Sequence, residues 1–200
     1  MLKAVEKLAP PDSKRKKHRP YMTEFIATIK LHLKLDTPLD AAVFACLTTC
    51  FYAAARLGKF TTSTQGEDVY WAKQEGDTDP ATALKHHLLL NAPLHDNHLF
   101  AYKHKNGHRP LTKTKFLERV ALAARAAGLE PLQGHGIRIG ATLEYLLCGI
   151  PFNVMKAKGR WASDAFLLYL TKHAQVLAPY MQAVPQVHKT FTQYIVPPVR

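Results

Sequence analysis

Apolar positions recur at helical spacing through most of this chain. Phe25, Ile26, Ile29 and Leu33 predict a helix over 23–35, with Thr23 as its N-cap. A second stretch starts near 36–39 and runs through Val43, Phe44, Leu47, Phe51 and Tyr52 to about Leu57. It is apolar on most sides, which predicts a central core helix stopped by Gly58. Residues 60–72 read as extended, with a Thr-rich start, a Gln65-Gly66 turn and Val69-Tyr70-Trp71, giving room for one or two short strands. Asp79-Pro80 opens a helix through Leu84 to Leu90 that carries His86 and His87. After a His-, Asn- and Lys-rich loop over 91–109, Thr112 or Thr114 caps a helix bearing Phe116, Leu117, Val120, Ala124 and Ala127, ended by Gly128. Three more helices are predicted: one from His135 to Gly149, a short one over 151–158 stopped by Gly159, and a long one over 163–181. Pro185, Pro197 and Pro198 mark a loosely ordered tail. The pattern is that of a mainly α fold with a small β remnant.

Composition narrows the partner. The 200 residues suffice for one well-buried domain with a flanking arm. Twenty-seven Lys and Arg against fifteen Asp and Glu leave a net charge of +12, which suits a polyanion such as nucleic acid. Ribosome-like structural proteins and membrane-surface binders share that balance. The run Lys14 to Arg19 fits a nuclear import signal, a phosphate-contacting tether or a solvated linker. No apolar run is long enough to span a bilayer, and the start lacks a signal-peptide core, so the expectation is a soluble intracellular protein. Cys46, Cys50 and Cys148 form no disulfide framework, and the first two read as small core residues. His95, His98, His104 and His108 lack thiols or carboxylates at ligand spacing, so no metal is expected.

Candidate chemistry concentrates in the last third. His135 and Arg138 stand three apart at a helix start, where side chains on one face and the first-turn amides can address a common anion. Arg160 and Trp161 follow Gly159 in a tight inter-helix turn. Tyr169 lies in the apolar stripe Ala165 to Leu170, a place that accepts a tyrosine as ordinary packing. Upstream, Lys103, Lys105, Arg109, Lys113 and Lys115 surround a helix start and suit phosphate contacts, or form a solvated basic loop.

An HxxR pair, a glycine-led turn about twenty residues on, and a tyrosine ten residues after that glycine resemble the catalytic box of the tyrosine recombinases, the phage integrase family. The wording His-Gly-Ile-Arg-Ile-Gly-Ala-Thr, followed by Gly-Arg-Trp-Ala-Ser-Asp-Ala-Phe, is most similar to recombinases of Crypton-type eukaryotic mobile elements. Ala53-Ala54-Ala55-Arg56 resembles the family's upstream arginine box. The resemblance implies a linker over 1–22, an integrase-like catalytic domain over 23–182 and a tail over 183–200. It implies nuclear double-stranded DNA as partner, and DNA recombination or integration without cofactor. It also implies a homo-oligomer on DNA, with the tail as a candidate exchange segment.

Residue by residue, the resemblance assigns Arg56 and Arg138 to the scissile phosphate, Tyr169 as nucleophile and His135 to proton transfer. Arg160 or Trp161 takes the third-box position, on the phosphate or against the tyrosine. Two departures stand out. Lys59 occupies the position where the family commonly carries an acid, and no lysine lies between Lys59 and Lys73, where the family's hairpin lysine belongs. These departures keep open a second reading, a catalytically impaired DNA-binding module derived from a degraded mobile element. A basic helical RNA-binding or structural protein is a third.

Overall fold

A computed structural model describes residues 20–61 and 68–162 of the chain. Among them, helices α1 (Thr23–Leu31), α2 (Pro38–Tyr52), α3 (Gly58–Thr61) and α4 (Pro80–Asn91) come first. Strands β1 (Tyr102–His104) and β2 (Gly107–Arg109) follow, then α5 (Lys113–Ala126), α6 (His135–Leu147) and α7 (Phe152–Lys158). The protein is mainly helical. Among the described residues, no helix is long and apolar enough to cross a membrane.

The central helix is α2, as its all-round apolarity predicts. Pro38 sits in its first turn, where the missing N–H costs nothing, and every residue from Asp40 to Tyr52 is buried. Around it pack α1, α4, α5, α6 and β1. Cys46 and Cys50 lie wholly within this core.

Near the start of α2 the core takes in a carboxylate. Asp40, 4% exposed, receives Arg119 of α5 in a two-pronged ion pair, with Nε–Oδ1 at 2.6 Å and Nη2–Oδ2 at 2.7 Å. The Lys34 amide donates to the same carboxylate at 2.8 Å, and Arg119 also donates to the His32 carbonyl at 3.2 Å. A bidentate, fully hydrogen-bonded pair of this kind fixes the register of two helices. It also shortens α1. The expected helix over 23–35 stops at Leu31 because the chain must leave helical geometry to bring the Lys34 amide onto Asp40. Its N-cap is Met22, without a side-chain bond, rather than Thr23.

The chain entering α1 is clamped to α6. The Tyr21 amide donates to the Gly136 carbonyl at 3.0 Å, and the buried Tyr21 hydroxyl donates to the Leu132 carbonyl at 3.0 Å. One turn further along α6, a Cβ on Gly140 would fall 1.6 Å from the Tyr21 carbonyl oxygen. The second glycine of His-Gly-Ile-Arg-Ile-Gly is therefore there for backbone approach.

A second polar knot joins α4 to α2 and the hairpin. The Asn91 amide donates to the Pro38 carbonyl at 3.0 Å and to His87 Nδ1 at 2.9 Å, while its oxygen accepts the Lys103 amide at 2.9 Å. His87 Nε2–H donates to the Leu99 carbonyl at 2.9 Å. That leaves His87 neutral, with one tautomer allowed. Burial pushes its pKa below the ordinary value, against an opposing pull from the Leu99 bond, and His86 adds a smaller downward push.

The small sheet is not where the pattern placed it. Among the described residues of 60–72 there is the end of α3 and no ladder; the Gln65-Gly66 turn lies outside the described residues. The carbonyls of Asp68 and Tyr70 instead accept side-chain donors, Arg160 and Lys158. The two strands form an antiparallel hairpin inside the predicted loop over 91–109, pairing Tyr102 with Arg109 and His104 with Gly107. Its two-residue connection holds Lys105 at φ 51°, the positive first-position angle of the primed hairpin turns. The remaining caps follow the pattern. Asp79 accepts from the amides of Ala81 and Thr82 at the start of α4, Thr112 accepts from Lys115 at the start of α5, and Gly128 turns left-handed after it. The amphipathic piece over 2–8, the basic run over 14–19, the helix over 163–181 and the tail lie outside the described residues.

Gly140→Ala is expected to cost about 3 kcal/mol in urea unfolding, because backbone must move to admit the methyl. Gly58→Ala, where nothing lies within 4 Å, should change stability by less than about 1 kcal/mol. A separate expectation concerns pH. His87 binds its proton more readily unfolded than folded, so its contribution is complete above the unfolded value of 6.5 and falls as pH drops below it. Denaturant midpoints measured from pH 7.5 to 5 should decline, and His87→Gln should flatten that decline.

Candidate functional site

Four helices end in a left-handed residue closed by paired backbone bonds of the Schellman type. After α5 and α6 that residue is glycine, Gly128 at φ 69° and Gly149 at φ 83°. After α2 and α7 it is not. Ala54 stands at φ 48° and Arg160 at φ 53°. A side chain in this region costs about 1–2 kcal/mol, and both residues line the same cavity.

The α2 turn delivers the first cation. The Ala54 amide bonds to the Phe51 carbonyl at 2.9 Å and the Ala55 amide to Cys50 at 3.0 Å, so the core helix ends at Tyr52 and not at the predicted Leu57. Arg56 emerges exposed from this turn. Gly58, expected as a stop, instead begins the single turn of α3, and the Lys59 amide caps back onto the Arg56 carbonyl at 3.0 Å.

The second cation comes from α6. Arg138 is only 5% exposed. Its Nη2 donates to the Gly159 carbonyl, and its guanidinium carbon lies 4.2 Å from the centre of the Trp161 ring. Both contacts come from the turn after α7, where the amides of Arg160 and Trp161 bond to Ala157 at 3.0 Å and Lys156 at 3.1 Å. That turn makes Arg160, not Gly159, the left-handed residue. Gly159 is required for another reason: a Cβ there would sit 1.6 Å from Cζ3 of the Trp161 ring, which folds back over it.

These segments enclose a cavity of about 190 Å³ lined by Ala54, Ala55, Arg56, Lys59, Arg138, Gly159 and Arg160. Among the described residues, its charged lining is wholly cationic. Lys59 registers the crowding. Burial lowers its pKa below the ordinary lysine value, and the nearby charges of Arg160, Arg56 and Arg138 lower it further. A concave site with this field is suited to a phosphate or another compact oxyanion. The Arg160 side chain also donates to the Asp68 carbonyl, and Lys158 Nζ to the Tyr70 carbonyl at 3.0 Å, tying the 68–71 segment to the turn. Beneath Lys158 lies the ring of Tyr145, 4.8 Å away; burial pushes that phenol up to about 12 while its hydroxyl donates to the Tyr52 carbonyl at 2.7 Å.

Of the residues singled out in the sequence, Arg56, Arg138 and Arg160 share this cavity, and Trp161 lies against Arg138 without lining it. His135 is exposed as the first residue of α6 and does not line the cavity, despite its three-residue spacing from Arg138. Its neighbour is drawn inward by Gly159 and Trp161. Tyr169 lies outside the described residues. Lys103, Lys105 and Arg109 are exposed on the hairpin, and Lys113 and Lys115 on the first turn of α5, with Lys115 3.8 Å from Glu118. None of these five lines the cavity. The residue that the sequence reading set aside is Lys59, noted as a departure and now a member of the cluster. Its three-residue spacing from Arg56 across a helical turn was the available signal.

Comparison with protein-family models, with curated proteins and with solved structures found no match. The cavity's chemistry predicts that inorganic phosphate or pyrophosphate stabilises the fold. At ten times its dissociation constant the anion should add about 1.4 kcal/mol. Arg56→Gln and Lys59→Gln should each reduce the resulting rise in melting temperature, whereas Lys85→Gln, on α4 outside the cavity, should not.

Proposed function

We propose that this chain is a DNA breaking and rejoining protein of the tyrosine recombinase type, acting in recombination or integration of a mobile element in the nucleus. One observation supports the reading above others. Arg56, Lys59, Arg138 and Arg160, drawn from three separated segments, line a single cavity; the family resemblance assigns Arg56 and Arg138 to the phosphate and offers Arg160 as one of two candidates for the third-box position. The reading also implies an integrase-like arrangement of the helices, with double-stranded DNA as partner and a homo-oligomer on it.

In this mechanism, Arg56 and Arg138 bind the non-bridging oxygens of one phosphodiester and stabilise the added negative charge of the pentacoordinate transition state. Arg160 and Lys59 add to the field from the other rim. The Tyr169 hydroxyl loses its proton, with His135 assisting, and its oxygen bonds to phosphorus as the bond to the 5′-oxygen breaks. The departing 5′-oxygen takes a proton and leaves as a hydroxyl. The 3′-phosphotyrosyl link conserves the energy of the broken bond, and attack by another 5′-hydroxyl reverses the step.

A second reading is favoured by the same cluster. Lys59 stands where an acid is the family's habit, and Arg138 is engaged by Gly159 and Trp161. Together these fit a module that retains phosphodiester binding without strand cleavage.

A nicked suicide duplex, which loses its 5′-hydroxyl strand once cut, separates the two. The first reading expects a covalent protein–DNA adduct that survives denaturation and disappears in Tyr169→Phe. Tight binding with no adduct on any such substrate would leave the binding module as the function.

A further inference from the structure

We infer that Trp161 is a positioning residue that acts on phosphate only through Arg138. The inference rests on the reading of the cavity as a phosphodiester site, and deepens it by separating the groups that touch the anion from the group that aims one of them.

Three observations carry it. First, Trp161 is absent from the cavity lining, whereas Arg138 is part of it. The indole is therefore not placed to contact an anion held there. Second, the guanidinium of Arg138 is engaged from two directions: its Nη2 donates to the Gly159 carbonyl, and its central carbon lies over the indole, 4.2 Å from the ring centre. A planar fork held at one edge and one face has little freedom left, and that is the condition for delivering directional hydrogen bonds to an oxyanion. Third, the local backbone is arranged around the stack. Glycine stands at 159, where a Cβ would lie 1.6 Å from Cζ3 of the indole ring, and the left-handed position that glycine ordinarily occupies after a helix falls instead to Arg160 at φ 53°. Placing the glycine one residue early sacrifices the usual cap and keeps the ring seated.

An ordinary core tryptophan explains less. Trp161 is half-buried, follows a left-handed residue and has a guanidinium on its face. Burial in apolar surroundings demands none of these. The stack also differs from either role implied by the family resemblance, since the ring addresses a neighbouring arginine.

Two measurements on the full chain test the inference. The Nε–H resonance of Arg138, assigned by its loss in Arg138→Gln, should be shifted upfield by the indole ring current. Trp161→Phe should retain part of that shift and Trp161→Leu should abolish it. A resonance unchanged in Trp161→Leu overturns the proposal whether or not DNA binds. The second measurement is a double-mutant cycle on affinity for a short DNA duplex. Trp161→Leu should weaken binding about tenfold when Arg138 is present and less than about twofold in the Arg138→Gln background. Equal losses in both backgrounds mean that Trp161 acts directly, and overturn the inference. Failure of the wild-type chain to bind DNA sinks the phosphodiester reading instead, and the resonance then decides the positioning claim by itself.

Discussion

Like charges do not gather unless something holds them, and the crowding of Arg56, Lys59, Arg138 and Arg160 around one cavity is the constraint on which this structure turns. The four cations lie on three separately anchored supports. Arg56 and Lys59 hang from the end of α2, the most deeply buried helix, whose start is locked by the Asp40–Arg119 pair. Arg138 lies on α6, held from one side by Tyr21 at Gly136 and Gly140 and engaged from the other by the turn after α7. Arg160 sits in that turn itself. Burial lowers the pKa of Lys59, and the repulsion from Arg160, Arg56 and Arg138 lowers it further. An arrangement that opposes its own charges and places non-glycine residues at φ 48° and 53° spends stability on something other than folding. An arriving anion relieves the first of these costs.

Much of the fold is written in local pattern. The all-round apolarity of Val43 to Tyr52 identified the buried helix, and Asp79, Thr112 and Gly128 marked ends that the backbone obeys. What local pattern did not show was tertiary. The end of α1 depends on Asp40 taking the Lys34 amide while Arg119 arrives from a helix nearly eighty positions away, and no window of sequence contains all three. The hairpin was missed for a different reason. Asn106-Gly107 is a hairpin signal, but it lay inside a loop dominated by His and Lys. The extended look of Val69 to Trp71 competes with that signal. The Asp68 and Tyr70 carbonyls accept from Arg160 and Lys158, and residues 69–71 have no strand partner among the described residues.

The site was partly legible for a reason that differs from the fold's. Local pattern marked Arg138 and Arg160, the family resemblance added Arg56, and all three meet at the cavity. Spacing also paired His135 with Arg138, and there the two differ: Arg138 is buried and lines the cavity, while His135 is exposed and does not line it. Gly159 was read as a helix stop. Its actual constraint, the indole ring folded over it, is visible only when Trp161 and Arg138 are seen together. Lys59, a departure at the position where the family commonly carries an acid, adds its charge to the same cavity.

The central claim is convergence: these cations serve one phosphate. The salt dependence of duplex-DNA affinity tests it most directly, comparing the wild-type chain with Arg56→Gln/Lys59→Gln/Arg138→Gln/Arg160→Gln. Each phosphate contact contributes about 0.9 to the slope of log affinity against log salt. Convergence predicts that removing all four charges lowers the slope by about 0.9, the loss of a single contact. A fall of about 3.6, the sum for four independent phosphates, or no change in slope, would contradict the account.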